Sequence, residues 1–212
     1  MSMPWQTIQQ DTIHFSAQVF RQLLDAFARP GTIVQLPNRE DAGRFSTIDH
    51  PHAIAAVATL LDNETTFTVA SDGEWLPASN EVVRWLLEVT TAKVSDPSQC
   101  TFAVLLDATF GSLIGQLPLG TLNAPELSAT AFICVDALGD EPVDDTTMTL
   151  ELRGPGIQEM TLLSIAGLQP DDVAKLHQTR RELPLGIDVY LIDRSGRCAG
   201  LPRSTRIVQR SR

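Results

Sequence analysis

The chain has 212 residues, 43% hydrophobic and 20% charged, a balance that supports a packed core and excludes a disordered chain. A domain of this length buries roughly 70% of the surface its unfolded form exposes, so it needs neither disulfide nor metal to hold together. The formal charge of −10 excludes nucleic acid as a general partner.

That charge is segregated. From His177 to Arg212, eight arginines (180, 181, 194, 197, 203, 206, 210 and 212) stand against Glu182, Asp188 and Asp193. This tail carries +5 and the preceding residues −15. Residues 1–10 have no basic n-region and no apolar h-region, so no secretory signal is expected. The apolar runs at 53–61 and 102–106 are too short to cross a bilayer, and no membrane partner is expected. Cys100, Cys134 and Cys198 show no paired spacing, which fits a reducing, cytoplasmic compartment.

In chain order, residues 15–29 read as an amphipathic helix with Val19, Phe20, Leu23, Leu24, Phe27 and Ala28 at helical spacing and Ser16 near its start. Pro30-Gly31 stops it, and residues 32–36 form a short strand. A second helix opens near Asp49 or His50, with Pro51 at its first turn, and runs to Leu61. Residues 65–70 alternate as a strand, and 80–91 form a helix with Val83, Leu86 and Leu87 inward. The continuous apolar runs at 101–106 and 129–135 predict strands covered on both faces, with a short helix at 110–117 between them. Residues 148–153 and 157–163 flank Gly154-Pro155-Gly156 as two strands around a tight turn. A last helix spans 170–181, and strands at 187–192 and 198–201 flank a turn at 193–196. Alternation early and hairpins late predict one α/β domain over residues 1–212, with a mixed, mostly parallel sheet covered by helices.

No complete catalytic constellation is visible. There is no G-x-x-x-x-G-K-[ST] and no G-x-G-x-x-G, and Gly111-Ser112-Leu113-Ile114-Gly115 places its serine wrongly for a nucleophile elbow. Asp49-His50-Pro51-His52 lacks zinc-protease spacing and reads as a helix start, so no metal site is assigned. Lys93 and Lys175 lack the apolar setting that a Schiff-base lysine needs, and the cysteines read as buried packing. What remains is Arg203-Ser204-Thr205-Arg206, with Arg153 before Gly154. Two guanidinium forks with hydroxyls between them suit a phosphate, phosphonate or carboxylate ligand, or equally acidic groups of this protein or a neighbouring subunit.

Four segments in order carry a resemblance. They are Phe20-Arg21-Gln22-Leu23-Leu24-Asp25-Ala26 closing with Arg29-Pro30-Gly31, and Leu61-Asp62-Asn63-Glu64-Thr65-Thr66-Phe67. Leu152-Arg153-Gly154-Pro155-Gly156-Ile157 follows, then Pro184-Leu185-Gly186-Ile187-Asp188 with Leu201-Pro202-Arg203-Ser204-Thr205-Arg206. Together they resemble the H-subunit family (PhnH) of the bacterial carbon–phosphorus lyase system, from about Phe15 to Val208. One departure is Ser128-Ala129-Thr130, where that family usually has Gly-Ala-Thr.

The resemblance implies a three-layer α/β/α sandwich similar to pyridoxal-phosphate-dependent transferases, without their cofactor site and with no cofactor of its own. It also implies a homodimer and a place in a core complex with the G, I and J subunits. With further proteins, that complex attaches an alkylphosphonate to ribose triphosphate in place of the base and then cleaves the carbon–phosphorus bond. The nucleosidase chemistry is assigned to the I subunit and the radical iron–sulfur chemistry to the J subunit. The expectation is therefore a non-catalytic subunit, with an anion-binding subunit that contributes arginines as the alternative.

Overall fold

The computed structural model describes residues 4–38, 50–142 and 147–209, with side chains from residue 12 onward. In chain order the elements are α1 (Pro4–Ala28), β1 (Val34–Gln35), α2 (Pro51–Leu60), β2 (Thr66–Ser71), β3 (Glu74–Trp75), α3 (Glu81–Val89) and β4 (Lys93–Val94). There follow β5 (Phe102–Leu105), α4 (Gly111–Ile114), β6 (Thr130–Val135), β7 (Ala137–Gly139), β8 (Met148–Arg153) and β9 (Thr161–Ala166). The chain continues through α5 (Pro170–Gln178), β10 (Asp188–Asp193), β11 (Arg197–Leu201) and β12 (Arg206–Gln209).

Eight strands form the main sheet in the order β1-β11-β10-β6-β5-β2-β3, with β4 also on β2. Its central strands β10, β6, β5 and β2 are parallel, and the antiparallel pairs lie toward its edges. The apolar runs explain the centre. Ala103, Val104 and Leu105 of β5 and residues 131–135 of β6 are buried, because both faces of these strands are covered.

On one face α1, α2 and α3 pack through Val19, Leu23, Ile54, Val57, Val83 and Leu86 onto Phe67, Val69, Val104, Phe132 and Ile192. Tyr190 anchors α1 to this face. Its ring stacks on Phe27 at 4.1 Å between centroids, and its hydroxyl donates to the Leu23 carbonyl at 3.1 Å. Gly200 of β11 lets α1 come this close, because a Cβ there would stand 2.5 Å from the Phe27 ring and 2.7 Å from the Ala26 carbonyl oxygen.

The opposite face departs from the expected layer of helices. It is covered by α4 and α5 together with a second, antiparallel sheet of order β12-β8-β9-β7. Leu150, Leu152, Leu163, Ile165 and Ile207 of that sheet meet Leu105, Ile133, Val189 and Leu191 of the main one. Alternation supports this placement, for β8 buries Met148, Leu150 and Leu152 while Thr149, Glu151 and Arg153 turn outward. The architecture is thus α/β, with a mixed, mostly parallel sheet and a smaller antiparallel one.

Several boundaries are corrected. α1 begins at Pro4, not near Ser16, since nothing between Pro4 and Pro30 breaks a helix and proline is tolerated in a first turn. Leu87 is 37% exposed rather than inward, because the seam of α3 runs through Val83 and Leu86 with Val82 and Trp85 beside it. The strand after Gly156 starts at Thr161, not Ile157, so a longer connection replaces the tight turn, and Leu152 pairs with Thr161. β12 was not foreseen at all. Asp49, one candidate start for α2, lies outside the described residues; His50 precedes Pro51 in the left-handed region at φ 62°.

Candidate functional site

Arg203 is held at the amino end of the parallel strands. β10 and β11 form a hairpin in which Val189 pairs with Leu201, so the next residues outward bring Asp188 beside Arg203. The backbone N–H of Arg203 donates to Asp188 Oδ1 at 2.7 Å, and its guanidinium forms an ion pair with Oδ2 at 2.5 Å. Nη1 donates to the Pro125 carbonyl at 2.7 Å and to that of Pro184 at 3.4 Å. The two side chains are only 18% and 17% exposed. All three guanidinium nitrogens are therefore engaged within the chain, tying the loops at 118–128 and 183–187 to the sheet. Such charge-assisted, bidentate contacts are strong and directional.

Arg180 reinforces this corner. Nη2 donates to the Leu201 carbonyl at 2.8 Å, and burial pushes the guanidinium down to about 10, opposed by Asp188 and assisted by Arg203. Close glycine contacts join the rest. Gly31 (φ 83°) lies against Leu152 and Thr161, and Gly156 (φ 83°) lies against Ala28 and Pro30. Gly154 meets Ser204 and Thr205, and Gly186 meets Thr179, Arg180 and Arg203. Three of the four resembling segments thus converge on one corner.

The second resembling segment forms a separate turn. There, Asp62 Oδ1 accepts the N–H groups of Glu64 and Thr65, both at 3.0 Å. Ser128 sits at φ −74°, ψ 155°, extended backbone that any residue adopts, so the backbone there does not require glycine; its hydroxyl is buried with no hydrogen-bond partner among the described residues.

The remaining candidates do not join Arg203. Ser204 is half-buried, and Thr205 is 3% exposed with no hydrogen-bond partner for Oγ1 among the described residues. Arg206 lies exposed on β12, in register with Arg153 of β8. Arg153 donates from Nε to Glu151 at 2.7 Å, whereas Arg206 forms no ion pair among the described residues. Two arginines directly opposite each other, with Glu151 paired to Arg153 alone, leave a positive spot on the second sheet. Arg210 and Arg212 lie outside the described residues.

The carboxyl end of the strands is organised by carboxylates. Asp193 Oδ1 accepts from the N–H groups of Ser195 and Arg197 and from the Ser195 hydroxyl, at 2.7–3.0 Å. Its Oδ2 accepts from Leu138 N–H at 3.1 Å and Arg197 Nε at 2.7 Å. Burial pushes this carboxyl up, but the Ser195, Leu138 and Arg197 donors and the Arg197 charge outweigh it and hold it low. His52 is pushed down by burial, with Asp193 opposing. Asp172 accepts from Gly111 N–H at 2.8 Å and Gln169 N–H at 3.2 Å, joining α4 to α5; burial raises it against those bonds.

At the same end a cleft of about 430 Å³ separates α1 from the chain that leaves β1. Arg21 and Gln22, which line it, fall inside the first resembling segment, but the helical pattern alone gave no reason to single them out. Lys93 and Lys175 are exposed, and all three cysteines are buried free thiols. Burial pushes the Cys100 thiol up to about 12 and those of Cys134 and Cys198 higher still, the opposite of a reactive setting. Among the described residues, no group of three or more His, Cys, Asp or Glu side chains is placed to hold a metal ion, and no helix is long and apolar enough to cross a membrane.

Fold and site together define an α/β protein whose conspicuous polar groups brace its own loops. The sequence matches the family described as "Bacterial phosphonate metabolism protein (PhnH)" over residues 8–208, and the chain belongs to that family. It is 33% identical over 209 residues to the alpha-D-ribose 1-methylphosphonate 5-triphosphate synthase subunit PhnH of Rhizobium meliloti (strain 1021), covering 93% of this chain and 92% of that one. It is 29% identical over 204 residues to HtxG of Stutzerimonas stutzeri, described as a C-P lyase subunit protein, covering 96% and 88%.

Proposed function

We propose that this chain is a non-catalytic subunit of the carbon–phosphorus lyase core complex in organic phosphonate catabolism. In that role it supports formation of ribose 1-phosphonate 5-triphosphate from a nucleoside triphosphate and an alkylphosphonate. The observation that carries this reading is the match along residues 8–208 to a family whose relatives are named as subunits of such assemblies. The engagement of Arg203 with Asp188, Pro125 and Pro184 agrees with it, because the most conspicuous anion-binding candidate is occupied within the fold.

The chain works as one domain in the cytoplasm, as a homodimer and beside the G, I and J subunits. Two apolar cores that share a single sheet support one cooperative unit. The likeness to the pyridoxal-phosphate transferase fold, as a three-layer sandwich without the cofactor, belongs to the same proposal. In it, Arg203, Ser204 and Thr205 shape the corner, while Arg206 and Arg153 present positive charge to an acidic surface of a neighbouring subunit. Complementary patches of this kind orient association and set its rate.

The test is affinity purification of a tagged copy from phosphate-starved cells. Recovery with the other core subunits is expected, together with loss of growth on alkylphosphonates when the gene is deleted. The purified chain alone should turn over nothing. Recovery without companions, or phosphonate transfer by the isolated chain, overturns the reading.

A further inference from the structure

We infer that the loops at 118–128 and 183–187, at the amino end of the parallel strands, form an apolar face that docks a segment of another protein chain, one whose apolar side chains are flanked by lysine or arginine. Three observations carry this. First, apolar exposure concentrates there. Among the described large apolar side chains, Leu122 (73%), Leu127 (66%) and Leu183 (60%) are three of the four most exposed, and the fourth, Ile13, lies on α1. A single exposed leucine needs no explanation, but several on adjoining loops mark an interaction surface.

Second, these leucines stand on loops that are fixed without them. Thr121 and Ala124 exchange backbone hydrogen bonds at 3.1 and 3.2 Å, which displays Leu122 at the tip of a two-residue turn. Gly120 (φ 77°) closes the loop on itself, because a Cβ there would stand 2.7 Å from the Pro125 carbonyl oxygen. Gly186 N–H donates to the Leu119 carbonyl at 3.0 Å. Arg203 Nη1 joins the Pro125 carbonyl, two residues before Leu127, to that of Pro184, next to Leu183. A face fixed in advance docks at a lower ordering cost. The described residues that flank 39–49 and 143–146 stand toward the opposite end of the strands, where Leu36 bonds to Gly196 and Met148 pairs with Ile165. α1 and β12 likewise carry Pro4 and Gln209 away from this corner, where Ala28 touches Gly156 and Arg206 pairs with Arg153.

Third, the rim decides between occupants. Glu126 adjoins Leu127 and Glu182 adjoins Leu183, both exposed, and Asp62 and Glu64 stand exposed just before β2 along the same end of the sheet. Arg181 and Lys93 are the exposed cations among these loops, since Arg203 is committed to Asp188. The rim is therefore acidic. A second copy brought here by a two-fold axis would set that rim against itself, whereas a chain with basic residues around its apolar ones meets it with opposite charge.

The inference rests on the proposed role in a multi-subunit complex and deepens it by naming the face that meets a partner. It is tested by co-expressing the tagged full chain with the G, I and J subunits and measuring how much of each is recovered with it. Leu127→Ser combined with Leu183→Ser should lower recovery of at least one subunit by at least about tenfold. Glu126→Lys combined with Glu182→Lys should lower it too, by less. The purified leucine variant should match the parent in circular dichroism and, by light scattering, in oligomeric state, because these leucines lie outside both cores. Leu122→Ser, at the tip of its turn, should repeat the loss and serves in place of the double variant if that unfolds. Full recovery with the leucine variants, undiminished recovery with the glutamate variants, or a changed oligomeric state of the isolated variant overturns the inference. A parent recovered without companions overturns the proposed role and this inference together. A parent and variants recovered equally well with the other subunits overturn this inference alone.

Discussion

At the amino end of the parallel strands, Arg203 commits all three guanidinium nitrogens to Asp188 and two loop carbonyls. Toward the carboxyl end, Arg21 lines a cleft and has no side-chain partner among the described residues. The same side chain builds in one place and is left open in the other. The difference is set by the acid beside it. The β10–β11 hairpin brings Asp188 to Arg203, whereas Asp25, one turn from Arg21 on α1, pairs with Arg29 instead.

The largest way to break this contrast is to disturb the corner that Arg203 braces. Gly156→Ala would place a Cβ 2.5 Å from the Ala28 carbonyl oxygen in a left-handed conformation, and the backbone there has no flexible side chain to yield. A loss of about 3 kcal/mol is expected. For a chain of this size that lowers Tm by roughly 6–12 °C in thermal unfolding. A Tm within a degree or two of wild type would show that the corner is not tightly built.

The carboxyl end gives the next largest effect and separates two buried carboxylates by sign. Asp193 is held below its ordinary value, so its contribution is present above the unfolded pKa and is lost as pH falls through the lower folded one. Asp193→Asn should cost about 2 kcal/mol at neutral pH and approach wild type in acid. Asp172 is raised, so its contribution is fullest below the unfolded value and is lost as pH rises through the folded one. Asp172→Asn should therefore gain on wild type as pH rises from acid toward neutral. Urea unfolding across that range checks both, and parallel pH profiles for the two variants would refute the opposite shifts.

The smallest effect is predicted at Arg206. It is exposed and in register with Arg153, so Arg206→Ala should change stability by less than about 0.5 kcal/mol, with relief of like-charge repulsion offsetting lost contact. A larger loss in denaturant unfolding would give this residue a bracing role like that of Arg203.

The central strands were legible because Val104 of β5 and Phe132 of β6, like their neighbours, face apolar surroundings on either side, so continuous apolar runs leave little choice. The second sheet was half legible. Met148, Leu150 and Leu152 alternate clearly, but β12 has only Ile207 buried, too little for a period. The start of α1 was hidden because its upstream residues lack the apolar spacing that marked 15–29.

At the candidate site, the partner of Arg203 was within reach. A hairpin turning at 193–196 sets residue 188 beside 202, which puts Asp188 next to the arginine. Whether Arg21 has a partner was not within reach, because the polar face of an amphipathic helix is expected to be exposed whether or not its charges are paired.

The account rests most heavily on the claim that Arg203 holds the fold through Asp188. A double-mutant cycle of Arg203→Ala and Asp188→Ala, read by denaturant unfolding, isolates that coupling. About 1–3 kcal/mol of interaction is expected, with each single variant clearly destabilised. Coupling near zero, with Arg203→Ala as stable as wild type, would contradict the account and return that arginine to the candidates for binding.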